Sequence, residues 1–500
     1  MNCWEIKSAE SHVSPFTLPA LRSTLLVLLF AAGCAVGPNY HRPPLDVPAQ
    51  YRSAPPILYT NSLGELPWWR VFKDDTLQGL IRTGLTNNYD LRIAIARVEQ
   101  ANAIVAQNRA LYFPQLNYQG AVSRGRNALG TTLFPNNGQT ANLVEVAGNA
   151  SWELDLWGRL RRLNEAARAQ YFAAQDARRG VYLATAAQVA QAYFELRELD
   201  ALLDIARSTT RAFQETYDLF NRRFTGGAAS ALETARAEAA MASAASAVPD
   251  LERQIQAKEN LLCYLVGRAP GPIPRGAGLE SQALPPRIPA GLPSALLERR
   301  PDLRVAEQQL VAANAAVGVA QASYFPTVSL TGLLGGVAPN LDQLFGSGKE
   351  WSFGAGANGP TVQGLRLKDQ KAVAVAQWEQ ARTRYQGAVT GAFGEVSSLL
   401  VAYQKLADVE ARQAQAVAAY QEAVHLATLR YTAGLSSYME VLEAQQQLFP
   451  AENSRSQTRL ARLVTLVQLY KALGGGWNLQ DPAAPGAWPK PPATGSPAPQ

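Results

Sequence analysis

The chain is poor in the residues that enzyme active sites and metal centres most often use. Among 500 residues there are three histidines and three cysteines, and neither a Walker loop nor a dinucleotide-binding glycine fingerprint occurs. His12 lies in the N-terminal leader, so His41 and His425 remain. Two distant histidines form neither a catalytic triad nor a metal cluster. The sequence therefore favours a protein with no enzyme activity, no cofactor and no metal.

Long hydrophobic runs are also scarce. The apolar run LLVLLFAA (residues 25–32) is too short for a transmembrane helix, which needs about 20 residues. Lys7 and Arg22 precede it, so it has the form of a signal-peptide hydrophobic region. Any membrane crossing by the mature chain must therefore be made of strands. The net charge of +6 is spread among acidic residues and gives no case for nucleic-acid binding.

The leader ends at Cys34, directly after three small residues (31–33). This pattern resembles a bacterial lipobox, in which the cysteine becomes the lipidated first residue of the mature protein. Ala31 stands where most lipoboxes carry leucine, so cleavage by ordinary signal peptidase remains the alternative. Ala35 follows the cysteine, and the resemblance then implies sorting to the outer membrane. We interpret residues 1–33 as a signal peptide and Cys34 as a lipidation site.

The dominant feature of the chain is an internal repeat. Residues 90–114, DLRIAIARVEQANAIVAQNRALYFP, return without a gap 212 positions later as DLRVAEQQLVAANAAVGVAQASYFP, residues 302–326. A second echo, at an offset of 207, pairs residues 222–239 with residues 429–446. Both copies of it read Arg, an aromatic residue, Thr, a small residue and Gly before a new helix. Two echoes in the same order indicate one supersecondary unit that is used twice.

Each copy of the repeated helix stops at a proline, Pro114 or Pro326, and a pattern with a period of two follows. The alternation predicts strand hairpins over residues 115–156 and 327–358, each with one apolar and one strongly polar face. Strands of about ten residues with such faces fit a transmembrane barrel. Four strands cannot close a barrel, because about eight is the practical minimum. Several chains must therefore combine their strands.

A long helical hairpin follows each strand pair. Residues 159–266 and 368–473 carry apolar residues at alternating spacings of three and four, which is typical of a coiled-coil seam. The first long helix should extend about 100 Å at 1.5 Å per residue. Each long helix turns back at a glycine, Gly227 or Gly434, because glycine permits the positive φ of a tight turn.

Segments rich in proline and glycine separate these units. Pro249 and Pro450 fall inside the returning helices and are expected to kink or divide them. The predicted organisation is a signal peptide (1–33), a lipidated N-terminal tether (34–66), a first repeat (67–266), a connector (267–293), a second repeat (294–473) and a C-terminal tail (474–500).

The chain resembles the outer-membrane efflux protein family in three features. It begins with a lipobox and closes with ALGGGW. Between them, one unit occurs twice in the order helix, YFP, strand hairpin, long helix, glycine turn and returning helix. The chain is similar to the TolC-like and OprM-like members of this family, and in particular to their lipoprotein branch. The resemblance implies an α+β membrane protein: a homotrimer whose chains each give four strands to one twelve-stranded barrel and long helices to a periplasmic tunnel. It also implies a Gram-negative outer-membrane location, contact with outer-membrane lipid, a periplasmic adaptor, and an inner-membrane pump of the RND type.

The resemblance further implies where the channel narrows. Glu440 and Glu443 after the second turn, Tyr431 before it, and Glu233 in the first hairpin match the family's periplasmic aperture. Ser436 stands where some members have arginine, so a salt-bridge lock of that kind is not expected. The plainer alternative is that these glutamates stabilise helix starts through the helix dipole. The expected adaptor contacts are the hairpin-tip residues Arg223, Phe224, Thr225, Gly227, Arg430, Thr432 and Gly434.

The resemblance implies that the protein is the outer-membrane channel of a tripartite efflux system, a passive gated exit duct for small toxic compounds or drugs. Two other functions stay open at this point. A structural coiled-coil lipoprotein explains the helices and the lipid, but not two amphipathic strand pairs in corresponding positions. A type I protein-secretion duct is the nearest rival within the channel class. The sequence names no substrate, because in such systems the pump selects it.

Overall fold

The computed structural model describes residues 35–52, 62–126, 140–285, 288–289, 291–361 and 365–475. The predicted signal peptide, Cys34 and all but two residues of the predicted C-terminal tail lie outside these ranges. The described start of the tether, residues 35–52, contains neither helix nor strand, in agreement with its proline-rich sequence. Tyr51 in this segment is nevertheless 4% exposed, so the segment packs on the protein at that point.

The described elements appear in the order that the internal repeat predicts. The two long helices both have 67 residues and the two returning helices both have 35, so the duplication is confirmed in the element lengths. The helices are α1 (Trp68–Val71), α2 (Asp75–Asn87), α3 (Tyr89–Ala110), α4 (Arg159–Thr225), α5 (Ala231–Leu265), α6 (Pro293–Arg299), α7 (Pro301–Ala322), α8 (Arg366–Thr432) and α9 (Tyr438–Ala472). The strands are β1 (Gln115–Arg126), β2 (Thr140–Leu154), β3 (Thr327–Ala338) and β4 (Lys349–Asn358).

The four strands form one antiparallel sheet in the order β1-β2-β3-β4. Gln115 lies opposite Ser151 in the first pair, and Thr327 lies opposite Asn358 in the last. Both predicted hairpins are therefore present. The central pairing of β2 with β3, which joins the two copies of the repeat, was not predicted from the sequence. In the described sheet β1 and β4 each pair on one side only, so both edges offer unpaired backbone groups to further strands.

One face of this sheet is apolar and open. Leu116, Tyr118, Val122 and Phe353 are 80%, 93%, 81% and 82% exposed in the single chain. This confirms the predicted alternation, and such a face is expected where lipid surrounds strands. No described helix is both apolar enough and long enough to span a bilayer.

The chain divides into two compact units. The first contains the sheet and consists of the described residues of Met1–Arg42, Gln100–Tyr171 and Gln308–Arg382. The second consists of the described residues of Pro43–Glu99, Phe172–Glu307 and Thr383–Gln500. In the second unit, Val189, Leu196 and Ala206 of α4 are 0% exposed. The predicted coiled-coil seam is therefore the core of this unit.

The prolines inside the returning helices do not divide them. Both α5 and α9 continue as single helices through Pro249 and Pro450. A proline removes one backbone hydrogen bond and crowds the preceding turn. The helix persists because Ala244 and Ile255, on either side of Pro249, are buried against neighbouring residues. Packing thus outweighs a local preference that favoured a break.

Asp74 ties the connector to the helices of the second unit. Its carboxylate caps α2, accepting hydrogen bonds from Thr76 N (2.9 Å) and Leu77 N (3.1 Å), as an N-cap aspartate should. It also accepts from three distant groups, Tyr193 Oη (3.0 Å), Ala277 N (2.9 Å) and Gln282 Nε2 (2.8 Å). Burial acts to raise the pKa of Asp74, but these hydrogen bonds outweigh it and hold the pKa below its usual value.

Candidate functional site: the tips of the helical hairpins

The first hairpin tip is closed by a glycine turn and a capping box. Gly227 has a φ of 75°, and the next amide, Ala228 N, donates to Arg223 O at 2.7 Å. Ser230 N donates to Glu233 Oε2 at 2.8 Å, while Glu233 N donates to Ser230 Oγ at 3.2 Å. These hydrogen bonds lower the pKa of Glu233. In the single chain this carboxylate therefore caps its own helix, and its aperture role stays a prediction.

The second tip has the same turn but a different anchor. Gly434 has a φ of 73°, and Leu435 N donates to Arg430 O at 2.9 Å. Ser437, at the N-cap position, makes no capping hydrogen bond with its side chain. Instead Glu440 Oε2 lies 3.5 Å from Arg430 Nε on the other limb of the hairpin. The glutamate predicted for the aperture is thus held across the turn by an exposed ion pair.

The two hairpins meet in a group of five side chains that we call the tip cluster: Thr216, Phe220, Arg223, Tyr431 and Tyr438. Arg223 donates a hydrogen bond to the Tyr431 hydroxyl, and its guanidinium carbon lies 5.3 Å from the centroid of that ring. Tyr438 packs edge-on against Tyr431 at 5.1 Å and against Phe220 at 4.9 Å. The hydroxyls of Tyr438 and Thr216 share a hydrogen bond, and burial raises the pKa of Tyr438.

A groove of about 820 Å³ lies between the hairpins beside the tip cluster. Its lining combines apolar side chains such as Phe213 and Phe449 with the charged side chains of Arg236 and Glu443. Arg236 Nη1 lies 3.6 Å from Met439 Sδ, so this contact also joins the two hairpins. The structure therefore places Glu443 in the groove and Glu440 at the turn.

The other predicted tip residues hold the turns or face solvent. Phe224 is 45% exposed. Thr225 Oγ1 donates to Arg222 O, and Thr432 Oγ1 donates to Leu429 O, both at 2.9 Å. The threonines therefore close the last helical turn, whereas Phe224 remains available to a partner.

Three members of the tip cluster, Thr216, Phe220 and Tyr438, were missed by sequence reasoning. In the sequence Tyr438 lies inside the second helical hairpin (368–473), and nothing marks it as a contact residue. Its partner Thr216 lies 222 positions away, and no local period reports such a contact. The available signal was that both are aromatic residues close to a glycine turn, Phe220 seven residues before Gly227 and Tyr438 four residues after Gly434.

Pro114 and Pro326 occupy the positions that were predicted for them, in the first unit. Pro114 lies between α3 and β1, and Pro326 between α7 and β3. Among the residues that the structure describes, no group of three or more His, Cys, Asp or Glu side chains could hold a metal ion.

The sequence profile described as "Outer membrane efflux protein" matches residues 80–268 and 292–475. The two matched segments cover both copies of the repeat and most of the chain. The gap between the two matched segments falls in the connector that is predicted between the two copies.

Known proteins match over nearly the full length. The chain is 34% identical over 467 residues to "Probable efflux pump outer membrane protein TtgC" of Pseudomonas putida, covering 92% of this chain and 96% of the relative. It is 32% identical to "Cation efflux system protein CusC" of Escherichia coli K12, covering 90% and 98%. The solved open-state MtrE outer membrane channel of Neisseria gonorrhoeae superposes with a TM-score of 0.78 at 31% identity, covering 89% and 98%. The chain therefore belongs to the outer membrane efflux protein family and is an outer-membrane efflux channel protein.

Proposed function

We propose that this protein is the outer-membrane exit duct of a tripartite efflux pump. The observation that carries the proposal is the single four-stranded sheet with two free edges and an exposed apolar face. Three such sheets joined edge to edge supply the twelve strands of one barrel. The family match over both repeats supports this homotrimer, which would stand in contact with outer-membrane lipid. The named relatives are efflux components and give no support to the protein-secretion alternative.

The duct acts passively, without enzyme chemistry in this chain. An inner-membrane pump of the RND type supplies the energy, and a periplasmic adaptor joins pump and duct. Small toxic compounds are the proposed cargo. One relative is named for cation efflux, so the fold by itself does not select the substrate.

The hairpin tips are the proposed gate. In each chain the tip cluster joins the first hairpin to the second through Arg223, Tyr431 and Tyr438. Opening the periplasmic end requires the hairpins to move apart, so these contacts stabilise the closed state. The hydrogen bond that Tyr431 accepts from Arg223 of the first hairpin takes the place of a salt-bridge lock. Such a lock is not available here, because Ser436 stands where some family members have arginine.

Glu440 and Glu443 are the proposed cation-attracting constriction. In a trimer they supply six carboxylates near the aperture, three at the turns and three in the grooves. Replacing both with alanine should raise the single-channel conductance or reduce the preference for cations in planar bilayers. Glu238→Ala is the matched control, because it removes an exposed carboxylate from the returning helix of the first hairpin, outside the residues predicted for the aperture. Unchanged conductance and selectivity in the double variant would remove both residues from the gate.

The outer surface of the same tips is the proposed adaptor contact. Phe224, the turn at Gly227 and the turn at Gly434 are exposed at the ends of the hairpins. Phe224→Ala should weaken adaptor binding while it leaves channel conductance unchanged, because Phe224 is not in the tip cluster. Equal adaptor affinity, measured by surface plasmon resonance, would place the contact elsewhere.

Lipidation of Cys34 is supported by the position of its neighbour. A Cβ built on Gly158 would lie 2.7 Å from Ala35 Cα, and Val36 N donates to Trp157 O at 3.0 Å. These residues lie between β2 and α4, at the end of the strands. Trp157 stacks on Phe325 at 4.7 Å, and aromatic residues favour the membrane interface. A lipid on Cys34 would therefore enter the bilayer beside the barrel.

Palmitate labelling tests the anchor. Wild-type protein should incorporate labelled palmitate in cells, and Cys34→Ala should abolish the label. Label that persists in the variant, or its absence from the wild type, would show that Cys34 is not acylated.

Efflux is tested in a Gram-negative host that keeps its own adaptor and pump but lacks its outer-membrane channel. Expression of this chain should lower the accumulation of a fluorescent dye. Collapse of the proton gradient should restore accumulation, because the duct supplies no energy. Equal accumulation with and without the chain would contradict the proposed role in that pump.

A further inference from the structure

The charged side chains of the sheet are divided between its two faces. Arg124 follows Val122 on β1 at a spacing of two, so it lies on the apolar face. Lys349 precedes Trp351 on β4 at the same spacing, so it lies on that face as well. The acidic residues of the described strands lie on the polar face instead: Glu145, Glu153 and Glu350. The described cations of the sheet are therefore on the side that faces lipid, where charge is normally avoided.

No acidic side chain neutralises these two cations. Arg124 and Lys349 are both exposed, and neither forms an ion pair with another described residue. Glu350 follows Lys349 directly but points to the opposite face, because neighbouring residues of a strand alternate. A Lys or Arg on the lipid face of a barrel is strongly destabilising at the middle of the bilayer and nearly neutral at its interfaces. Both residues should therefore lie at a membrane interface.

Their positions along the strands identify which interface it is. Arg124 lies eight residues after Leu116, and Lys349 lies eight residues before Ala357. Eight residues extend about 27 Å along a strand, or about 20 Å along the membrane normal at a tilt of about 40°. The apolar band of an outer-membrane barrel is about 25 Å tall, and long basic side chains extend to its boundary. Because the periplasmic helices α3 and α8 join the strands near Leu116 and Ala357, the cations lie at the outer leaflet.

The loop of residues 339–348 adds apolar surface at the same level. Leu344 is 1% exposed and packs on Val144 and Ala338 of the apolar face, so the loop folds back over the outer end of the sheet. Leu341 and Phe345 in this loop are 71% and 66% exposed. The loop therefore presents apolar side chains to the membrane directly before Lys349.

We propose that Arg124 of one chain and Lys349 of the next form a site for a phosphate-bearing lipid of the outer leaflet. The acyl chains of this lipid contact Leu341 and Phe345 of the chain that supplies Lys349. The proposal rests on the homotrimer of the proposed function. There β1 and β4 are the edge strands, so joining the sheets edge to edge brings cations of two chains to one junction.

The chemistry of the surface selects this occupant. The guanidinium group of Arg124 matches the geometry of phosphate oxygens, and Lys349 adds a second positive charge. Basic residues at a membrane surface attract anionic lipid headgroups. A soluble anion would make no use of the exposed Leu341 and Phe345, whereas a lipid satisfies both the cations and the apolar loop.

Native mass spectrometry of the detergent-extracted trimer tests the site, with diphosphoryl lipid A as the probe. Wild-type protein should bind one molecule at each junction between chains. Arg124→Gln and Lys349→Gln should each weaken binding about fivefold, and together about 30-fold. Arg109→Gln with Lys368→Gln is the matched control, because it removes two exposed cations near the periplasmic ends of the same strands and should leave binding unchanged.

Two further arms distinguish a lipid from a free anion. Leu341→Ser with Phe345→Ser should weaken the binding of lipid A although both cations remain. Inorganic phosphate at the concentration of the probe should not displace lipid A. Displacement by inorganic phosphate, or equal binding of lipid A to wild type and to the loop variant, would overturn the assignment of a lipid.

The outcomes separate this inference from the proposed function. A wild-type trimer that conducts in planar bilayers, but binds lipid A no more tightly than Arg124→Gln with Lys349→Gln, would overturn the inference and leave the channel intact. Absence of any trimer in the wild type would overturn both.

Discussion

Loss of the Tyr431 hydroxyl should destabilise the closed channel. Tyr431→Phe removes the hydrogen bond from Arg223 but keeps the ring, and with it the cation–π contact and the packing on Tyr438. The hydrogen bond of this hydroxyl joins the two hairpins, so its loss makes their separation easier and leaves each helix intact. The fraction of time that the channel is open should therefore rise.

The size of the effect follows from exposure and from the number of chains. Because Arg223 is exposed, its hydrogen bond lies at the lower end of the usual range, about 0.5–1 kcal/mol. If all three chains open together, the closed state loses about 1.5–3 kcal/mol, which is roughly a 10- to 150-fold change in the ratio of closed to open states. Arg223→Ala removes the cation–π contact as well, which adds about 0.5 kcal/mol per chain at an exposed site.

Single-channel recording in planar bilayers measures this ratio directly. Tyr420→Phe is the matched control, because it removes a hydroxyl from the same helix outside the tip cluster. The double variant Arg223→Ala with Tyr431→Phe should show less than the sum of the two single effects. The gate reasoning would be refuted by an open fraction in Tyr431→Phe equal to that of wild type, or by full additivity of the two changes.

Three further predictions concern stability. Asp74→Ala should lower the free energy of unfolding by about 2–4 kcal/mol, since it removes a helix cap and leaves buried donors without an acceptor; a melting temperature within one degree of wild type, by circular dichroism, would contradict this. Burial raises the pKa of Glu198 to about 7, so the folded state keeps this proton up to about pH 7, whereas the unfolded state loses it near pH 4.5; its contribution to stability should therefore be present below pH 4.5 and be lost as pH rises to about 7. Glu198→Gln should therefore flatten thermal stability across that window, and an unchanged pH profile would reject the assignment. Gly335→Val should block assembly of the sheet, because a Cβ there would lie 2.3 Å from Val146 O; Gly356→Val, with no atom nearer than 4.0 Å, is the control, and equal heat-modifiable mobility of both variants in SDS gels would argue against the close approach.

The helical part of the fold was predictable because its signals are local. The 3–4 spacing from residue 159 and the turn at Gly227 predicted where the first long helix begins and ends, and the structure has it at Arg159–Thr225. Pro114 and Pro326 likewise marked the change from helix to strand. Where periodicity and a breaker residue agree, the sequence specifies the element and its end.

The missing parts depend on contacts between distant segments. Alternation along β2 shows which face is apolar but not which strand pairs with its second edge, so the β2–β3 pairing was absent from the prediction. Asp74 and Asp75 are adjacent in the sequence, and only the packed structure shows that Asp74 is the N-cap of α2, with Tyr193 and Gln282 as further donors. For the candidate site, the turn glycines and Tyr431 were identified, whereas Thr216 and Tyr438 meet only when the two hairpins pack together.

The central claim is that strands from several chains close one membrane channel. Conductance of the detergent-extracted wild-type protein in planar bilayers tests it most directly. We predict discrete openings of low conductance that prefer cations. Glu440→Ala and Glu443→Ala should reduce this preference. A protein that inserts no conducting unit across a range of voltages and protein concentrations would contradict the channel and favour a structural coiled-coil lipoprotein.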